Sequence, residues 1–402
     1  MELGQEILER EAVRTRPDYR LFLPRETGYR DDNVHLHVVR HTTDGKLFAV
    51  WTQSTYDGYG NNHAVFAVSA DEGMHWSEPK YIVGCTEDHS GEDVQASWAI
   101  PVVSPAGRIY VIYLWETDND DRAEGGFCGV FRVISTDDLG QTWSEPAVIE
   151  APVTPYDYGR SQRNVIFQIP THLADGTWLV PFTKWTSMRR QGPVEQRDEQ
   201  DSRICFFILE NIDKSPDVND LRYSFLPESS MISLPYPRKP SVSVAQEPAL
   251  VRLPDGRYFC SMRTAAGFVA YSVSSDNGLT WTAPEPVRFR DGTLFLHTLS
   301  PAPIYEIGEG KYALLYHGTG DVDANDRNPL YRAVGSFDPD GKQPILFDLS
   351  ERELFMRLPD EANIPGHDSN QLAMYASACR IGGRTVLWYP DRKCFLLGKY
   401  LD

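Results

Sequence analysis

One frame returns along this chain and constrains its fold more than any other feature. Ser69-Ala70-Asp71-Glu72-Gly73-Met74-His75-Trp76 and Ser274-Ser275-Asp276-Asn277-Gly278-Leu279-Thr280-Trp281 share Ser, Asp, Gly and Trp at the same places, and Thr136-Asp137-Asp138-Leu139-Gly140-Gln141-Thr142-Trp143 repeats the frame with Thr for Ser. Ser336-Phe337-Asp338-Pro339-Asp340-Gly341 is a shortened copy without the Trp. Asp bonds the backbone two residues on and Gly takes positive φ at no steric cost, so each frame forces a tight turn between two strands. The clear copies start at 69, 136 and 274, one and then two steps of roughly 68 residues, which is the self-similarity of a repeat architecture.

A second pattern has the same meaning. Six turn glycines, Gly45, Gly107, Gly176, Gly256, Gly310 and Gly383, each precede a mostly apolar run, at 46–51, 108–113, 177–182, 257–262, 311–316 and 384–389. Uninterrupted apolar runs of this length suit strands buried on both faces between stacked sheets. The two patterns together predict an all-β fold, a six-bladed β-propeller of four-stranded antiparallel blades. The blades are expected at about 31–85, 94–150, 163–235, 246–290, 297–350 and 370–402. Residues 1–30 are a lead-in with a short amphipathic helix, and a strand from near the N-terminus closes the last blade. Thirty glycines and 28 prolines suit many short strands joined by tight turns.

The frame resembles the Asp-box, or BNR repeat, of the sialidase superfamily, which implies the same propeller. In that family the box lies on outer hairpins and the chemistry lies at the central channel. The inner strands precede each turn glycine by roughly ten residues, and their starts are polar: Asn33 to His37, Gln95 to Trp98, Arg163 to Gln168, Gln246-Glu247, His297 to Ser300 and Met374 to Ser377. Polar groups converging on a central pocket are the default site. Sialidases use a Tyr nucleophile with a Glu partner, an Asp acid and an arginine clamp on the substrate carboxylate. The resemblance implies Tyr375 as nucleophile and Glu247 as its partner, with Arg263 and either Arg327 or Arg332 as clamp residues. Asp57 or His63 is the expected acid.

The first inner strand reads Asn33-Val34-His35, where the family carries an arginine. A clamp short of one Arg argues against sialic acid itself and for another acidic glycan. The expected function is therefore exo-acting hydrolysis of an acidic glycan. Two other readings stand beside it: elimination on a uronate-containing glycan, and binding without catalysis. In the elimination reading His35 or His63, Tyr375, Arg163 and Arg263 carry the chemistry. Alternation along the strand points His35 and His37 the same way. Gln246, His37, His297 and Trp98 complete the expected substrate contacts, Trp98 as a stacking platform. No metal or cofactor is expected: His35-x-His37 has metal-ligand spacing, but the acidic loop at 117–126 does not match an EF-hand.

A net charge of −18 argues against nucleic acid and anionic membrane as partners. The start of the chain has no apolar h-region, no run reaches transmembrane length, and the six cysteines are scattered, so free thiols in a cytoplasm are expected. Oligomeric state leaves no signal in the sequence.

Overall fold

The structure, a computed structural model, describes residues 5–24, 32–55, 61–86, 94–116, 129–159, 161–186, 201–322, 327–362, 364 and 372–402. Among the described residues the strands form six antiparallel blades, five of them with their main strands in chain order, and a separate two-stranded ribbon of Pro235–Tyr236 and Lys239–Ser243. Blade one is Asp32–Arg40, Leu47–Ser54, His63–Ser69 and Lys80–Gly84. Blade two is Ala96–Val103, Ile109–Glu116, Gly129–Thr136 and Ala147–Ile149. Blade three is Arg163–Ile166, Trp178–Trp185, Ser202–Leu209 and Tyr223–Phe225, with Thr171–His172 also paired to the second strand. Blade four is Ala245–Arg252, Tyr258–Thr264, Ala270–Ser274 and Glu285–Pro286. Blade five is Ile304–Gly308, Lys311–Tyr316, Leu330–Phe337 and Ile345–Met356.

Blade six takes Ser377–Ile381, Arg384–Asp391 and Phe395–Tyr400 from the C-terminal end and is completed by Tyr19–Phe22 from the lead-in, with Tyr19 opposite Gly398. The first strand of blade one packs against the first strands of blades two and six, and that of blade four against blade five, so the first strands are the innermost. The second strands are buried along nearly their whole length, as their apolar runs require. The fifth blade begins at Ile304 rather than 297, because Pro301 and Pro303 cannot donate to a ladder and His297 to Ser300 fold into a turn instead.

Each repeated frame is the turn between the third and fourth strands of its blade. In the third copy Ser274 Oγ donates to Asp276 Oδ1 (2.8 Å) and accepts from the Gly278 N–H (2.9 Å), while Asp276 Oδ1 accepts from the Thr280 N–H (2.8 Å). The other two copies repeat these bonds. The indoles do more than fold back on their own turns. Trp76 meets Trp388 of blade six (5.3 Å), Trp143 meets Phe66 of blade one (5.6 Å), and Trp281 stacks on Phe206 of blade three (5.0 Å). Each frame thus staples its blade to the preceding one. This also explains Gly140, which combines a φ of +83° with a position where a Cβ would stand 2.3 Å from Phe66.

The lead-in helix Gln5–Ala12 buries Leu8 and Ala12 in the core shared by blades five and six. Among the described residues no helix is long and apolar enough to cross a membrane.

Candidate active site

The site is built on three departures from regular strand geometry. The first strands of blades one, two and four each carry a bulge near their start. At each bulge a non-glycine residue takes a left-handed backbone: His35 (φ +56°), Trp98 (φ +51°) and Glu247 (φ +45°). Such a conformation costs about 1–3 kcal/mol per residue and persists where surrounding contacts enforce it. Here Thr52 Oγ1 on blade one accepts from the Trp98 N–H (3.2 Å), and Thr183 Oγ1 on blade three accepts from the Glu247 N–H (2.7 Å). The Leu36 N–H, next to His35, donates to the Tyr375 carbonyl (3.0 Å). A bulge re-aims a side chain, and these three re-aim His35, Trp98 and Glu247 at one end of the inner strands.

Tyr375 stands at the centre of the group, half-buried, on the segment leading into blade six. Its ring meets His35 edge-on at 5.1 Å and Phe167 of blade three at 5.5 Å. His35 in turn lies 4.9 Å from Trp98. From blade four, Arg263 Nη1 donates to Glu247 Oε1 at 2.6 Å. Burial works against the charge of Arg263, but Glu247 and Tyr375 outweigh it and hold the guanidinium above its ordinary value. Glu247 Oε2 is buried without a protein partner, so the carboxylate is bound to Arg263 rather than to the phenol itself. Five blades therefore contribute to one cluster: a phenol, an imidazole, an arginine–carboxylate pair and two apolar rings.

The remaining expected residues fall differently. Gln246 is buried opposite Arg263 in the ladder, with its Oε1 unpartnered. Arg327 is buried beside the Tyr375 segment; its carbonyl accepts from the Leu372 N–H (3.2 Å), and its Nη2 donates to the Leu299 carbonyl (3.0 Å). Arg163 is half-buried at the start of the third blade's inner strand, with its Nε buried and without a hydrogen-bond partner among the described residues. Asp57 and the whole 117–126 loop lie outside the described residues.

Four expectations need correction. His35 and His37 do not share a face, because the bulge between Val34 and His37 breaks the alternation. His37 is buried with Nδ1 unpartnered and is held down to about 3 by burial. Arg332 stands on the third strand of blade five, ion-paired with Glu353 at 3.0 Å, away from the inner strands. His63 begins the third strand of blade one, its ring stacked on Tyr81 of the outer strand and its Nδ1 3.2 Å from the Asn61 carbonyl. His297 has both nitrogens committed to backbone: Nε2 to the Ser300 carbonyl (2.8 Å) and Nδ1 to the His317 N–H (3.1 Å).

The sequence held an unused signal for part of this site. Thr52, Thr183, Arg263 and His317 each stand seven places after their turn glycine, at Gly45, Gly176, Gly256 and Gly310. That place is the far end of the second strand, where the inner-strand bulges need polar partners. Phe167 carried no such signal. Among the described residues no three metal-ligating side chains come together.

The buried histidines make a pH prediction. Burial pushes His297 down to about 4, with Arg263 and Arg327 adding to the effect, and pushes His317 well below its ordinary value. The unfolded chain therefore binds protons below pH 6.5 that the folded chain does not, and stability should fall as pH drops from 6.5 toward 4. Each unit costs about 1.4 kcal/mol per histidine. Urea unfolding at pH 7 and at pH 5 measures this, and equal stabilities would contradict the burial of neutral imidazoles.

The family model for the BNR repeat-like domain matches residues 45–331. No curated protein sequence matches the chain. Among solved structures, a Hadza microbial sialidase superposes with a TM-score of 0.61 at 16% identity, covering 92% of this chain and 66% of its own. A Dyadobacter fermentans protein of unknown function gives 0.59 at 13% identity, covering 95% and 97%. The intramolecular trans-sialidase of Ruminococcus gnavus gives 0.58 at 12%, covering 93% and 94%. This chain thus spans just under two thirds of the first of these and nearly all of the other two.

Proposed function

The chain belongs to the BNR repeat-like domain family, and on that premise we propose that it is a glycan-active enzyme that hydrolyses a terminal glycosidic bond of an acidic glycan at Tyr375. The observation that supports this reading is the convergence of side chains from blades one, three and four on the half-buried phenol that leads into blade six. A neutral phenol approaches an anionic sugar without charge repulsion. In this reading Tyr375 Oη attacks the anomeric carbon as the bond to the leaving oxygen breaks, and the phenol proton passes to Glu247 Oε2. Arg263 stabilises the negative charge that develops on the phenol oxygen. The leaving oxygen takes its proton from an acid, for which Asp57 is the candidate from the sequence. Water then releases the sugar from Tyr375. Arg327, within electrostatic reach of His297 as Arg263 is, adds positive charge for the substrate carboxylate.

One observation favours elimination as a second reading. Glu247 is engaged by Arg263, and the ring packed against Tyr375 is His35. A His–Tyr pair beside an arginine is the set needed to take the C5 proton of a uronate, protonate the C4 leaving oxygen and neutralise the carboxylate. A panel of acidic oligosaccharides, including sialosides and rhamnosyl-glucuronates, separates the two. Reducing-sugar release without new ultraviolet absorbance is expected. Absorbance from a new 4,5-double bond would replace hydrolysis by elimination, and silence on both channels would leave binding without catalysis.

A further inference from the structure

A second concave surface lies away from the channel, between the lead-in helix, the outer strand of blade five and the outer half of blade six. It is an open groove of about 830 Å³. Among the described residues, Arg10, Arg14, Arg16, Arg357 and Lys399 line it, against Asp360 and Glu361. In a chain of net charge −18 this is a local inversion of sign. Two of the cations are already committed, Arg10 and Arg14 to Glu11, each at 3.1 Å. Lys399 Nζ donates to the Thr15 and Arg16 carbonyls (3.2 and 2.8 Å), fixing the turn after the helix. Arg16 and Arg357 are exposed and make no ion pair among the described residues.

Apolar surface is mixed with this charge. Val13 and Leu354 line the same groove at 47% and 52% exposure. Phe355, the one aromatic side chain among the described residues of the lining, is buried and offers no face for a sugar ring to stack on. Cations for carboxylates and exposed aliphatic side chains for apolar ones fit a peptide better than a glycan. We propose that this groove docks a segment of a partner protein that combines acidic and aliphatic side chains. The assignment does not depend on the chemistry at Tyr375, since none of the groove residues belongs to an inner strand.

The test is fluorescence anisotropy of the full chain with a labelled peptide of alternating glutamate and leucine. Saturable binding at low ionic strength that weakens with salt is expected. The Arg16→Glu/Arg357→Glu variant should bind about tenfold or more weakly. Val13→Asp tests the apolar half separately, and a peptide with serine for leucine should also bind less. Tyr375→Phe should bind as the wild type does. No saturable binding, or unchanged affinity in both groove variants, would overturn the proposal. Equal competition by hexagalacturonate would reassign the groove to acidic glycans.

Discussion

Tyr375→Phe should lower turnover by about a thousandfold or more while leaving thermal stability unchanged. The substitution removes one hydroxyl and keeps the ring that packs against His35 and Phe167. The hydroxyl of a half-buried side chain contributes little to folding, so lost activity reports chemistry rather than collapse of the site. Glu247→Gln should also reduce turnover, but by a different route. It leaves the Arg263 guanidinium, only 8% exposed, facing a neutral amide, so stability should fall along with activity. The contrast between the two variants is informative: a silent Phe variant beside an inactive Gln variant would move the chemistry from the phenol to the Arg263–Glu247 pair. Wild-type turnover in both would remove Tyr375 and Glu247 from the mechanism.

The second large effect concerns the fold. Arg392→Met should destabilise the chain by about 3–5 kcal/mol, read from the shift in urea unfolding free energy. Arg392 is fully buried, with a left-handed backbone (φ +54°), at the turn before the third strand of blade six. Its guanidinium donates to both Asp391 oxygens (3.0 and 3.2 Å), to Glu11 Oε2 (2.8 Å) and to the Glu11 carbonyl (2.7 Å). Burial already pushes the Asp391 carboxyl upward, and Arg392 is the main group holding it down. Without the arginine, the Asp391 carboxylate is left in the protein interior without a cation, while Glu11 keeps only its pairs with Arg10 and Arg14. Adding Asp391→Asn to Arg392→Met should restore part of the loss, because the penalty comes from uncompensated charge on Asp391. A shift below about 0.5 kcal/mol would mean that the helix is not held by this network.

Legibility in the sequence was uneven, and the unevenness has physical causes. The frames at 69, 136 and 274 and the six turn glycines were readable because turn chemistry is local: a Ser, an Asp and a Gly within five residues make their own hydrogen bonds wherever the chain places them. The second strands were readable because burial on both faces selects apolar side chains along most of their length, with the polar ones confined to the far end. Closure of the ring by Tyr19–Phe22 followed from a last blade that lacked a strand. Of the expected site residues, Tyr375, Glu247, Arg263, His35 and Trp98 come together. Arg332, His63 and His297 do not, because the strand position or the backbone partner of a polar side chain is not written in its neighbours.

The sequence by itself determined the blade count, the strand order and the turns, since each depends on interactions within a few residues or on a period repeated along the whole chain. Only the tertiary structure decided the site. The left-handed bulges at His35, Trp98 and Glu247 occur at non-glycine residues, of which only His has any enrichment in that backbone. Trp98 and Glu247 are held there by threonines of the preceding blade, and His35 by the segment that carries Tyr375. Those partners are distant in sequence, and they meet only once the blades have closed into a ring.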